Sequence, residues 1–165
     1  MVSFILYCEL TMRFEIRTLI KIDDTYCEIG DLPLNRVDED YLEGAILWSI
    51  DQTPILTRAE WDLVDQLWVY LIRGAKALLD DRYFESYFPD QPLKLRLKAI
   101  NMHFVEFYAG DRRVVVDRAV FFESLCVGAS EFFDEVRQKL PSCDELARAQ
   151  LTLVADIRRS IGLST

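Results

Sequence analysis

The sequence has little glycine or proline and none of the common phosphate-binding loops. Its 165 residues include 6 glycines and 5 prolines, and this scarcity argues against long flexible linkers. No G-x-x-x-x-G-K-[ST] or G-x-G-x-x-G motif occurs, and no G-x-S-x-G elbow. These motifs cradle phosphates or present a nucleophilic serine. The sequence therefore gives no support to the usual nucleotide-binding or serine-hydrolase chemistry.

Histidine is nearly absent, which limits both acid–base catalysis and metal binding. The one histidine, His103, falls in a strand pattern beside Met102 and Phe104, where a structural role is the commoner one. No two cysteines form a C-x-x-C pair, so the sequence lacks the cysteine spacing that is typical of zinc sites. We expect no catalytic residue, no metal and no cofactor. The irregular cysteine spacing is typical of reduced thiols; the four are Cys8, Cys27, Cys126 and Cys143.

Acidic residues also lack the patterns of metal-dependent sites. Pro89-Asp90 precedes a strand pattern, as in some nucleases, but the strand that follows contains no acid-x-Lys motif. A magnesium-dependent nuclease needs those carboxylates to hold its ion. Asp80-Asp81 and the run of acids at residues 38–40 lack the glycine and the terminal glutamate of a calcium loop. Pro89-Asp90 is therefore interpreted as a turn.

No hydrophobic run approaches the length needed to span a membrane. The first residues are apolar around Phe4, but they lack a basic region and include Glu9, unlike a signal peptide. We expect a cytoplasmic protein that does not bind membranes. Because Met12 opens a clean strand pattern, residues 1–11 are interpreted as a loosely attached extension of one α+β domain over residues 1–165.

Charge is unevenly distributed along the chain. The net charge is −9, and residues 1–56 contain 11 acidic and 4 basic side chains. Such a surface repels nucleic acid and attracts a basic protein. The alternative is that the acidic run is only a solvent-exposed surface that aids solubility. We expect partner contacts at six residues, the first four being the stronger candidates: Asp38, Glu39, Asp40, Glu43, Asp23 and Asp24.

Alternating apolar residues predict strands in both halves of the chain. The stretch from Met12 to Ile29, interrupted at Asp23-Asp24, predicts a hairpin, and residues 45–50 predict a strand followed by a turn at 51–54. Residues 93–98 alternate leucine with Lys94, Arg96 and Lys98, which is typical of a half-exposed strand. With the patterns at 103–108 and 113–116, they predict a three-strand meander.

Apolar residues at helical spacing predict three helices. Thr57-Arg58-Ala59-Glu60 has the form of a capping box and predicts the start of a long central helix bearing Trp61 and Trp68. Residues 122–140 predict a second helix that Pro141 ends. Ser142 to Glu145 resembles another capping box and predicts the start of a third. We therefore expect an α+β fold, with an antiparallel sheet packed against a long central helix and two C-terminal helices.

Three stretches carry a resemblance to small bacterial proteins. Residues 44–56, 61–68 and 87–93 resemble proteins of this kind, some of which are similar to immunity proteins encoded beside polymorphic or contact-dependent toxins. The matching stretches are a strand, a capped helix and a turn, so no functional residue can be transferred. The resemblance implies a stoichiometric binder of a toxin rather than a catalyst.

Three functions remain open from the sequence. The first is an inhibitor whose acidic surface covers the basic cleft of a toxin, with charge steering the encounter. The second is a structural or adaptor subunit that forms a homodimer through a sheet edge or exposed aromatics, so either a monomer or a homodimer is expected. The third is an enzyme with a site assembled from scattered acids.

Overall fold

The fold is α+β, as the sequence predicts. The computed structural model describes residues 13–163, so the prediction for residues 1–11 lies outside the described range. Within that range the elements are β1 (Phe14–Ile22), β2 (Thr25–Glu28), β3 (Glu43–Ile50), β4 (Thr53–Leu56), β5 (Asp62–Leu63), α1 (Val64–Asp80), β6 (Tyr83–Tyr87), β7 (Lys94–Ala99), β8 (Phe104–Ala109), β9 (Arg112–Asp117), α2 (Arg118–Lys139) and α3 (Asp144–Ser160).

The first sheet has the strand order β2-β1-β3-β4, with β5 also paired to β3. The predicted hairpin of β1 and β2 is confirmed, and its turn places Asp23 at a φ of 53°. The prediction that all of residues 51–54 form a turn is wrong. Only Asp51 and Gln52 turn, both with positive φ, and Thr53 already pairs back to Ile50.

The second sheet is an antiparallel meander in the order β6-β7-β8-β9. The sequence predicts its last three strands but not β6, and the strands form two separate sheets where one was expected. Strand β7 is amphipathic as predicted, because Leu95 and Leu97 are fully buried between the basic residues of the other face. Helix α1 packs against β6 and β7 and also against α3.

Three aromatic rings join the two sheets to α2. The ring of Trp48 on β3 stacks on Phe121 of α2 at a centroid distance of 5.2 Å and meets Phe107 of β8 edge-on at 5.8 Å. All three side chains are buried. The indole nitrogen of Trp48 also donates to Ser124 Oγ at 2.9 Å, so its one polar group is satisfied inside the core.

The long helix does not begin where the capping box predicts. Thr57 and Glu60 do form a capping box, but it closes a separate 3-10 turn. The chain then extends through β5, where Asp62 pairs with Gly44, and Trp61 lies outside the helix. Helix α1 begins at Val64, whose amide donates to the backbone oxygen of Leu42 at 2.8 Å. Pairing with β3 thus delays the helix by one short strand.

The prediction that Ser142 to Glu145 form a second capping box is wrong. Helix α2 ends before Pro141 as predicted, but Ser142 lies in a 3-10 turn and does not cap α3. The hydroxyl of Ser142 instead donates to the carboxylate of Glu39. The residue that precedes α3 is Cys143, and its side chain forms no capping hydrogen bond.

Within the described residues, Cys27, Cys126 and Cys143 are free thiols. Cys126 is fully buried in α2, and burial raises the pKa of its thiol to about 11. Cys8 lies outside the described range. Among residues 13–163, none of the helices has the length and apolar character that crossing a membrane requires.

Glycine at position 128 allows α2 to lie directly against β1. A Cβ atom added to Gly128 would lie 2.6 Å from Ile16 Cδ1 and 2.8 Å from the ring of Trp68. Both neighbours are buried, so the added atom would have to displace packed side chains. The contact between helix and sheet therefore requires a residue without a side chain here.

We expect Gly128→Ala to lower the free energy of unfolding by about 1–3 kcal/mol, because the added methyl group overpacks the core. Gly30→Ala is the matched control. The nearest atom to its added Cβ is Glu135 Oε2 at 3.5 Å, an ordinary contact. Urea unfolding of both variants measures the difference. Equal stability of the two variants would show that α2 does not need this close approach.

Candidate functional site

The predicted acidic residues gather at one corner of the molecule. Asp23 and Asp24 form the tip of the β1–β2 hairpin, and the connection from β2 to β3 passes beside it. Asp23, Asp38 and Glu43 line the same shallow depression, together with Lys21 and Arg36. Carboxylates that are up to 20 residues apart in sequence are thus brought together by the pairing of β1 with β3.

Two of these six carboxylates are already paired with basic side chains. Asp23 forms an ion pair with Arg36, and Glu43 lies 3.8 Å from Lys21 Nζ. The side chain of Asp23 is 73% exposed, so its ion pair is screened by water and contributes little stability. The sequence did not predict these pairs, because Lys21 and Arg36 meet the acids only across the folded hairpin.

Glu39 has a structural role. Its carboxylate accepts hydrogen bonds from the amide of Ser142, at 3.3 Å, and from the hydroxyl of the same residue. The thiol of Cys143 lies 3.7 Å from the backbone oxygen of Glu39. Asp38 accepts from the amide of Asp40 at 3.0 Å and so closes a local turn. The acidic loop is therefore attached to the connection between α2 and α3.

The buried carboxylate of Asp62 anchors the turn that contacts the other side of the acidic loop. Asp62 on β5 is fully buried, and its oxygens accept from the backbone amides of Leu63 at 2.6 Å, Asp90 at 3.0 Å and Gln91 at 3.0 Å. Asp90 in turn accepts from the hydroxyl of Tyr41 at 2.9 Å. The turn at Pro89-Asp90, which the sequence predicts correctly, is thereby fixed against both β5 and the acidic loop.

Asp62 and Asp90 were not among the predicted site residues. The sequence does contain a signal for their role. Asp62 lies between two apolar residues, Trp61 and Leu63, which indicates that it is buried. A buried carboxylate is unfavourable unless hydrogen-bond donors surround it. A turn bounded by Pro89 and Pro92 leaves backbone amides in need of an acceptor.

Asp90 extends the acidic surface beyond the predicted residues. The hydrogen bond to Asp90 raises the pKa of the Tyr41 hydroxyl, with further contributions from burial and from the charges of Asp90, Glu43 and Asp62. Tyr41 therefore lies within a field of negative charge. We call the following group the acidic corner: Asp23, Asp24, Asp38, Asp40, Glu43 and Asp90.

A further carboxylate lies behind the acidic corner, in the first turn of α1. Burial raises the pKa of the Asp65 carboxyl. Burial also raises the pKa of the Cys143 thiol, and the negative charges of Asp65, Glu39 and Asp40 raise it further. The amide of Val64, the residue before Asp65, donates to the backbone oxygen of Leu42 at 2.8 Å, so Asp65 lies close to the base of the acidic loop.

The arrangement is suited to binding cationic groups. Among residues 13–163, no three His, Cys, Asp or Glu side chains are placed to hold a metal ion. His103 is exposed just before β8. What the corner offers is a set of surface carboxylates at fixed positions, which can accept hydrogen bonds from lysine or arginine side chains.

No protein-family model, curated protein or solved structure matches this chain. The interpretation of the acidic corner therefore depends on the geometry and chemistry of its own residues.

We expect Asp62→Ala to lower the free energy of unfolding by about 2–3 kcal/mol, since three backbone amides lose a carboxylate acceptor. Amide hydrogen exchange at Asp90 and Gln91 should become faster. Asp80→Ala, which removes an exposed acid paired with Lys76, is the control and should cost about 0.5 kcal/mol or less. If Asp62→Ala were no more destabilised than this control, Asp62 would not be the anchor of the turn.

The raised pKa of Asp65 makes the free energy of unfolding depend on pH. Burial favours the protonated form in the folded state, so this group's contribution to stability is complete below its unfolded pKa of about 3.9 and is lost as the pH rises through its folded value. Asp65→Asn cannot ionise. Its stability relative to the wild type should therefore increase between about pH 4 and pH 7. Unfolding curves across this range test the prediction, and a constant difference would contradict it.

Proposed function

We propose that this protein is a non-catalytic binder that covers a basic surface of a protein partner, in the manner of a toxin-neutralising immunity protein. The observation that carries the proposal is the acidic corner, whose carboxylates project largely from a loop that is anchored before any partner arrives. The proposed contacts are its exposed carboxylates, and the proposed place of action is the cytoplasm. Nucleic acid is not a proposed partner, because phosphates would be repelled.

A rigid acidic surface favours protein binding for a physical reason. Ordering a flexible loop on binding costs free energy and therefore lowers the affinity. Here the loop between β2 and β3 is already fixed by Glu39 on Ser142 and by Tyr41 on Asp90. Little of that cost remains when the partner docks. The negative field also accelerates the encounter with a positively charged surface.

Several carboxylates of the corner are available for a partner. Within the described residues, Asp24, Asp38, Asp40 and Asp90 form no ion pair. All four are exposed. A lysine or arginine of the partner can therefore bind them without breaking a pair in this protein. The pairs at Asp23 and Glu43 can be exchanged for partner contacts at small cost, because they are solvent-exposed or partly so.

A second candidate is a structural subunit that forms a homodimer. The observation that favours it is the uncovered face of the sheet formed by β6 to β9. Large apolar side chains are exposed there, among them Tyr87 at 60%, Tyr83 at 45% and Phe104 at 45%. Exposed apolar patches of this kind are often interaction surfaces. Light scattering over a range of concentrations separates the two candidates, since only the homodimer has twice the monomer mass.

We expect the Asp24→Lys, Asp40→Lys double variant to bind its partner at least about tenfold more weakly, with most of the loss in the association rate. The partner to test is the product of the gene next to its own. Isothermal titration calorimetry measures the affinity, and higher salt should weaken wild-type binding. Neither side chain accepts a hydrogen bond in the described structure, so the fold should be retained.

The Asp81→Lys, Glu123→Lys double variant is the matched control for the charge change, because it also replaces two exposed acids. Asp81 follows α1 at the end farthest from the acidic corner. Glu123 is exposed on α2, about 24 Å along the helix from its end at Lys139 near the acidic corner. This variant should bind as the wild type does. Equal weakening by this control and by the Asp24→Lys, Asp40→Lys variant would mean that only net charge matters. No complex with the neighbouring gene product, or one insensitive to both variants, would overturn the proposal.

A further inference from the structure

A pocket of about 340 Å³ lies at the opposite end of α1 from the acidic corner. It is formed where the end of α1, the start of α2, the end of α3 and the β7–β8 connection meet. The two ends of α1 are about 24 Å apart. Its apolar walls come from Leu79, Met102, Phe122, Ile161 and Leu163. The pocket is therefore separate from the surface proposed to bind a protein.

A cation lies in the wall of this pocket. The guanidinium carbon of Arg118, the first residue of α2, lies 5.1 Å from the ring centroid of Phe122. Burial lowers the pKa of Arg118, and the positive charge of Arg82 lowers it further. A guanidinium group that is partly removed from water is unfavourable unless an anion lies beside it.

The acid next to Arg118 in sequence is engaged elsewhere. The carboxylate of Asp117 caps α2 by accepting from the amide of Val120 at 3.0 Å, and it lies 3.6 Å from Arg13. Within the described residues, Arg118 forms no ion pair. The wall of the pocket thus contains an unpaired cation beside apolar side chains, in a protein of net charge −9.

We propose that this pocket binds a small amphipathic anion, a carboxylate with a medium-length apolar chain. The carboxylate lies beside the guanidinium group of Arg118, where it forms charge-assisted hydrogen bonds. The alkyl chain fills the space between Leu79, Phe122 and Ile161 and is removed from water. The size of the pocket is at the lower end of the range for small-molecule sites.

The test uses octanoate, octanol and octylammonium as three probes of one chain length and different charge. Isothermal titration calorimetry and the shift in Tm measure their binding to the whole protein. We expect octanoate to bind, octanol to bind at least about tenfold more weakly, and octylammonium not to bind. Equal binding of octanoate and octanol, or no binding of octanoate, would overturn the proposal.

Variants locate the site. Arg118→Gln should weaken octanoate binding about tenfold, whereas Arg73→Gln, which removes an exposed arginine of α1 outside the pocket, should leave it unchanged. Met102→Asp places a negative charge at the rim and should abolish binding. Met102 is 80% exposed, so this variant stays folded.

Arg82→Gln is a second, exposed variant if Arg118→Gln is unstable, because the charge of Arg82 acts on Arg118 from outside the pocket wall. It should reduce octanoate binding by less than Arg118→Gln does. Unchanged octanoate binding in Met102→Asp and Arg82→Gln would show that the anion binds elsewhere, and the proposal would be wrong. The acidic corner takes no part in these measurements, so their outcome is independent of the proposed protein partner.

Discussion

The packing of Trp48 against Phe107 and Phe121 holds this molecule together. The three rings come from the first sheet, the second sheet and α2, so one aromatic contact fixes three layers at once. Aromatic pairs of this geometry add to the stability that their buried area provides. The hydrogen bond from Trp48 to Ser124 fixes the orientation of the indole ring. Because the two sheets and α2 are held together, the two ends of α1 occupy defined positions on the surface.

At one end of α1, carboxylates serve the fold and the surface together. Asp62 and Glu39 bind amides from other parts of the chain, and this holds the turn at Asp90 and the acidic loop in place. Amide donors are suitable partners for a carboxylate in the core, because they compensate for its loss of water. The exposed acids beside them are thereby presented on a rigid support. For the proposed basic partner, little free energy would be lost to ordering this surface on binding.

At the other end of α1 the charge has the opposite sign. Arg118 lies next to apolar side chains in the wall of a pocket of moderate size. The overall charge of the protein is negative, so this local excess of positive charge is not a consequence of composition. The molecule therefore has two surfaces of distinct chemistry, one suited to cationic side chains and the other to an amphipathic anion. The two proposals depend on different residues and stand or fall separately.

Much of the fold could be predicted from local pattern. Strands β1, β7 and β8 alternate apolar and polar residues because one face is buried, and α2 repeats its apolar residues at helical spacing. Strands β4 and β6 were missed. Residues 83–87 are largely exposed, so β6 lacks a buried face that would give it a clear period. A strand at the edge of a sheet is defined by its hydrogen bonds to the neighbour, which sequence pattern does not contain.

The beginnings of α1 and α3 show how tertiary contacts override local signals. The capping box at Thr57 forms as expected, yet the helix starts only after β5 has paired with β3. Ser142 could have capped α3, but its hydroxyl is used by Glu39, which is 103 residues away in sequence. A polar side chain binds whichever partner the fold brings closest. Local motifs can therefore be present while the elements they predict begin elsewhere.

The sequence by itself determined the fold class, the acidic character and the six candidate carboxylates, because these follow from composition and from short-range periodicity. Only the tertiary structure decided which acids remain available. It paired Asp23 and Glu43 with basic residues, gave Glu39 a structural role and added Asp90 to the surface. It also placed Arg118 in the wall of a pocket. Charges act on one another through distance in space, and that distance is set when remote segments pack.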